Sequence, residues 1–145
     1  MANTNLFFAT WTPRLLSVLR IITGFLFFAH GAQKLLGFPA PMQGGAVPLL
    51  SLFGVAGVLE LVGGLLILVG LFTRPVAFLL AGEMAVAYFM GHAPGGFWPL
   101  LNKGELAVLY CFVFLYLAGA GGGPWSLDSL LRRATSYNDD RRLNG

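Results

Sequence analysis

Charge is scarce in this chain: 10% of its 145 residues are Asp, Glu, Lys or Arg and 57% are hydrophobic, whereas a water-soluble domain carries about 25% charge. That shortage excludes water as the main solvent, and a mean hydropathy of +0.75 directs the excess apolar surface to lipid or partner subunits. Cysteine is limited to Cys111, inside an apolar stretch, which excludes a disulfide framework, a dithiol cycle and a thiolate metal site. The two histidines, His30 and His92, show neither ligand spacing nor a haem attachment motif, so no resident metal is expected. The glycine-rich stretches follow no strand, so they are not read as phosphate loops. A formal charge of +3 does not point to nucleic acid, because the basic residues flank apolar spans, where positive charge orients membrane helices.

What is present is a series of long apolar runs. The first span is predicted over 15–36, with Thr12 as N-cap, Pro13 at the first helical position and Trp11 at the interface. Its length gives roughly 33 Å at 1.5 Å per residue, enough to cross a bilayer. A secretory signal peptide competes for this segment, since Arg14 and Arg20 precede an apolar run, but no small-x-small site ends it before Gln33 and Lys34. Further spans are predicted over 49–72, from 76 to about 91, and from 105 to about 120, joined by Pro/Gly-rich loops and by the tight Thr73-Arg74-Pro75 break. The last two are short for a bilayer, which implies tilt or local thinning.

The expected fold class is therefore all-α: an integral membrane four-helix bundle with a short C-terminal amphipathic helix over 126–133. Residues 1–13 read as an N-terminal cytoplasmic segment, 14–120 as the membrane domain, and 121–145 as a cytoplasmic amphipathic and, from Thr135, disordered tail. The excess of arginine on one side over Lys34 and Lys103 on the other places both termini in the cytoplasm.

Within the spans sit residues that are costly in hydrocarbon, by about 2.5 to over 10 kcal/mol for a charge, and that therefore face the bundle interior and pair. Arg20, Gly24, Phe27, Gly31 and Lys34 recur every three or four residues and form one stripe, with His30 beside it. Gly57, Glu60 and Gly64 share a face of the second span, where small residues permit close helix approach. Depth counting puts Arg20 at roughly 9 Å, Glu83 at roughly 12 Å, Glu60 at roughly 20 Å and His30 at roughly 24 Å, with Lys34 and Glu105 near the outer end. Three level pairs follow: Arg20 with Glu83, His30 with Glu60, and Lys34 with Glu105; the long Arg20 side chain would equally reach Glu60. Such ions either fix helix register or, for His30 and Glu60, exchange protons. Tyr88, Phe89, Tyr110, Phe112, Phe114 and Tyr116 read as packing and interface aromatics, and a groove among them would suit a quinone ring.

The arginine, HGAQKLLG from His30, ELVGGLLILVGLFTRP from Glu60, GFWPLLNKGELAVLYCFVFLYLAGAG from Gly96 and GPWSLD from Gly123 together resemble the DoxX family of small four-helix membrane proteins. The resemblance covers nearly all of the chain from Arg14 to Arg132. It implies a bacterial cytoplasmic (inner) membrane protein, linked to membrane oxidoreductase complexes, sulfur-compound and quinone chemistry and oxidative-stress defence, with no assigned catalytic residues. Lys103 departs from the pattern, which has a small residue before Gly104 and Glu105. The combined reading is an accessory or quinone-side subunit of a redox complex, with no intrinsic cofactor and a quinone or bound lipid as ligand. Its partners would be the lipid bilayer, a membrane or cytoplasmic redox protein, and further copies of itself. A small proton-coupled carrier and a purely structural assembly or anchoring subunit are the rival readings.

Overall fold

The computed structural model describes residues 2–42, 45 and 47–143. Among them there is no strand; the chain folds as helices α1 (Ala2–Leu36), α2 (Leu52–Val69), α3 (Thr73–Gly95), α4 (Glu105–Ala120) and α5 (Leu127–Leu143), with a single helical turn at Pro99–Asn102. Three of these, from Leu6, Leu52 and Thr73, are long and apolar enough to cross a membrane, and α4 is a shorter apolar helix.

α1 differs from the sequence expectation at its start. Thr12 and Pro13 do not open the helix; Pro13 lies inside it. A proline costs a helix one hydrogen bond and a steric clash, yet the turns before it hold. Thr10 donates its hydroxyl to the Leu6 carbonyl at 2.9 Å, and the Phe7 ring packs on Phe8 and Trp11. The helix ends where Gly37 turns left-handed (φ 67°), its N–H and that of Phe38 closing on the Gln33 and Ala32 carbonyls.

α2 opens at Ser51, whose hydroxyl oxygen accepts from the Gly54 N–H at 3.1 Å. It widens into a π-helical turn at Leu59–Gly63 and ends at left-handed Gly70. α3 is longer than the short span expected, because it continues through a second π turn, Tyr88–His92, to Gly95. α5 carries on to Leu143, through the tail expected to be disordered from Thr135. Lys103 is left-handed (φ 62°), a conformation that favours glycine, which explains why a small residue suits that position.

The bundle is two close pairs, α1 on α2 and α3 on α4. Gly24, Gly31 and Gly64 lie where the first pair touches backbone to backbone: a Cβ on any of them would come closer than 3.0 Å to Leu68, Leu61 or Phe28 main-chain atoms. Gly57 instead faces the Leu35 and Lys34 side chains. Phe27 joins the pairs, its ring edge-on to Phe114 at 4.7 Å and Tyr110 at 5.1 Å; Ile67, Leu80, Phe114 and Leu117 complete a closed core. The aromatics divide accordingly: Tyr88, Tyr110 and Phe114 are buried, while Phe89, Phe112 and Tyr116 face outward, as lipid-facing residues would.

Candidate functional site

Arg20 is fully buried on α1, and its partners are backbone carbonyls, not the carboxylate expected for it. Its Nε donates to the Gly122 carbonyl at 2.8 Å, Nη1 to the carbonyls of Ile67 (2.6 Å) and Leu68, and Nη2 to that of Trp125 (2.6 Å). The guanidinium thus satisfies carbonyls at the end of α2, where the helix dipole is negative, and ties down the loop that follows α4. The Arg20–Glu83 pair is therefore corrected, and so is the alternative with Glu60. Carbonyls at a helix end were as attractive to the cation as a carboxylate, and they lay within reach.

The acidic and basic groups meet farther along α1. Because Gly31 seats against Leu61 and the Glu60 carbonyl carbon, Glu60 comes level with the turn that carries both His30 and Lys34. Lys34 takes it: Nζ lies 2.5 Å from Glu60 Oε1, with side chains 19% and 5% exposed. His30 instead sets its ring edge-on to Tyr110, centroids 6.2 Å apart. The His30–Glu60 and Lys34–Glu105 pairs are thus replaced by one Lys34–Glu60 pair. Depth alone did not separate two residues four apart on one helix; the rotation of α1 against α2 did. Glu105 is exposed in the first turn of α4, where a carboxylate complements the helix dipole.

Glu83 reaches the same interior from α3. Both of its carboxyl oxygens are buried with no hydrogen-bond partner, as is Glu60 Oε2, and Glu60 and Lys34 are the charges near enough to act on it. Tyr110, from α4, lies against the His30 ring at the edge of this interior. Glu60 itself sits in the π turn of α2, a local widening often found at functional positions. The outcome is a buried cluster in which carboxylate acceptors outnumber donors, with a lysine, a tyrosine and a histidine around it.

His92 lies outside the cluster, its Nδ1 3.1 Å from the Asn102 carbonyl, while Tyr88 donates to the Phe97 carbonyl and the Asn102 amide to that of Gly96 at 2.6 Å. Among the described residues no three His, Cys, Asp or Glu side chains converge as a metal site would require.

Sequence reasoning passed over Asp128. Its Oδ1 accepts from the Phe72 N–H (2.8 Å) and Oδ2 from the Thr73 N–H (2.9 Å), so α5 caps the start of α3. Partial burial pushes this carboxyl up, but the Thr73 and Phe72 donors and nearby Arg132 outweigh it and hold the group below its ordinary value. The segment SLD signals a cap for its own helix, a role that Ser126 fills toward the Ser129 N–H; nothing local shows that Asp128 serves another.

The comparisons with known proteins agree with this architecture. The DoxX family profile matches residues 15–93. A Haemophilus influenzae protein without an assigned function is 47% identical over 82% of this chain and 92% of its own length. A Bacillus subtilis protein provisionally named as the oxidoreductase CatD is 37% identical over 77% and 82%. The inner membrane protein YphA of Escherichia coli is 31% identical over 83% and 93%. No solved structure matches the chain. With the family profile over more than half of its length and a relative at this identity, the chain belongs to the DoxX family of membrane proteins.

Proposed function

We propose that this protein is the membrane subunit of a redox assembly, in which the Glu83, Glu60 and Lys34 cluster exchanges protons with a quinone or similar lipid-borne carrier. The observation that carries the reading is the incomplete hydrogen bonding of Glu83 and Glu60 Oε2. A proton on Glu83 would supply the donor the cluster lacks, and its removal would restore the acceptor. Such a group, inside a low-dielectric bundle, is suited to taking up and releasing one proton per cycle. The naming of the CatD relative as an oxidoreductase supports the redox side.

The polar end of a quinone fits the cluster, which offers Lys34 as a hydrogen-bond donor and Glu83 as a proton carrier. The ring would have to approach from lipid, because the Phe27, Tyr110 and Phe114 rings pack against one another in the core. When bound, such a carrier would accept electrons from the partner protein, and this chain's residues would manage the accompanying protons. The arginines at the Arg20 end of the bundle support placing that end, with both termini, on the cytoplasmic side.

The test is a quinone-analogue binding curve and a partner-dependent reductase assay on folded wild type, Glu83→Gln and His30→Gln across about pH 5 to 8. Glu83→Gln should keep the fold and flatten the pH profile. Profiles that superimpose on wild type would remove the cluster from the mechanism, and no analogue binding by the chain alone or with a redox protein that copurifies with it would remove the quinone. Trypsin should trim the C-terminal tail only in inside-out vesicles.

A further inference from the structure

A cleft of about 330 Å³ opens at the Arg20 end of the bundle, outside the carboxylate cluster, between the start of α3, the loop after α4 and α5. Its walls include Thr73, Arg74, Pro75, Asp128, Leu131 and Arg132. Asp128 is already engaged by the Phe72 and Thr73 N–H groups. The two arginines are not: both are exposed, neither forms an ion pair among the described residues, and the Arg74 guanidinium lies over Gly121. The floor holds a second unsatisfied group. The Thr73 side chain is fully buried and its hydroxyl makes no hydrogen bond of normal geometry, although it lies beside Asp128.

Two exposed guanidiniums, set against the single carboxylate of Asp128, and the Thr73 hydroxyl make a recess with a net positive charge, suited to an anion with several oxygens. The remaining wall, Pro75 and Leu131, is apolar, so the anion should be attached to something greasy. The residues around the recess are those suited to headgroup level. Trp125 is half-exposed beside it and Trp11 packs under Arg14 at 5.3 Å, while Leu127, Leu130 and Leu131 of α5 are exposed, the arrangement of a helix lying in the membrane interface.

We propose that this cleft binds the phosphate group of an anionic phospholipid, with Arg74 and Arg132 as its clamps and the Thr73 hydroxyl as an additional donor. Binding would fasten α5 to the α2–α3 turn and so hold the C-terminal helix against the bundle.

The experiment compares the full chain in nanodiscs of phosphatidylcholine with and without phosphatidylglycerol, reading lipid retained by native mass spectrometry and the thermal midpoint. Phosphatidylglycerol should be retained and should raise the midpoint. Arg132→Gln and Arg74→Gln should each lower retention about tenfold, the loss of one charge-assisted contact, whereas Arg133→Gln, outside the cleft, should not. Equal loss with Arg133→Gln would reduce the effect to general positive charge and overturn the site. Equal stabilisation by inorganic phosphate in lipid-free detergent would overturn the lipid assignment. Thr73→Ser, which keeps the hydroxyl, should retain lipid if the clamp is as described.

Discussion

Two buried polar regions lie along the same face of α1, four turns apart, and they are built on opposite terms. Around Arg20, donors and acceptors are matched: Nε, Nη1 and Nη2 all find carbonyls of the α2 end or of the loop after α4. Around Lys34, one ammonium serves one oxygen of Glu60, and three other carboxyl oxygens are left with none. A completed network has nothing to gain from a ligand or proton and acts as a structural clasp; an incomplete one is high in free energy until something completes it. Burial of charge in a membrane helix is therefore not in itself a sign of chemistry. The count of unmet partners is the better guide.

The contrast can be broken by mutation. The largest effect is expected from Arg20→Met, which keeps most of the side-chain volume but strands the carbonyls of Leu68, Gly122 and Trp125 and leaves that of Ile67 with only the Gly70 N–H; the loss should be at least about 3 kcal/mol, as for breaking a buried charged network. Fluorescence-monitored melting in detergent checks it, and a wild-type midpoint would mean that the clasp is dispensable. Glu60→Leu should have a smaller effect, about 1–3 kcal/mol, because the stranded Lys34 is partly exposed and its long stem can carry the ammonium toward the interface. If Glu60→Leu proves the more damaging of the two, the assignment of clasp and reactive cluster is reversed.

The smallest effect belongs to Asp128→Asn, about 1 kcal/mol from a weakened helix cap, and it carries a pH signature. The folded-state carboxyl titrates below its ordinary value of 3.8, so its contribution is fully present above that value and is lost as pH falls through the lower folded one. Wild-type stability should therefore decline in acid more steeply than that of Asp128→Asn. Parallel acid limbs for the two proteins would show that the cap is not formed by the carboxylate.

Much of the fold is legible in the sequence. The fourth span, predicted from Glu105 to about Ala120, is α4 from end to end, and the Arg20-to-Lys34 stripe is the face that packs inward. The glycine pattern of that stripe marks a real contact, since Gly24 and Gly31 meet α2 backbone directly. The candidate site was legible only as a set of residues. All three ion pairs drawn from depth differ from those formed, and the Asp128 cap left no local sign at all.

The amino-acid sequence by itself determined that this chain lives in lipid, the approximate course of its spans and that Arg20, Lys34, Glu60 and Glu83 face inward, because hydrophobic length and 3.6-residue periodicity are local properties written into each segment. Only the tertiary structure decided that Lys34 rather than His30 holds Glu60, that Arg20 binds carbonyls, and that Glu83 is left without a donor. Those outcomes depend on how each helix is rotated and which helix is its neighbour. Rotation and adjacency are fixed by many weak contacts summed across the bundle, such as Gly31 against Leu61 and Phe27 between Tyr110 and Phe114, and no single segment encodes that sum.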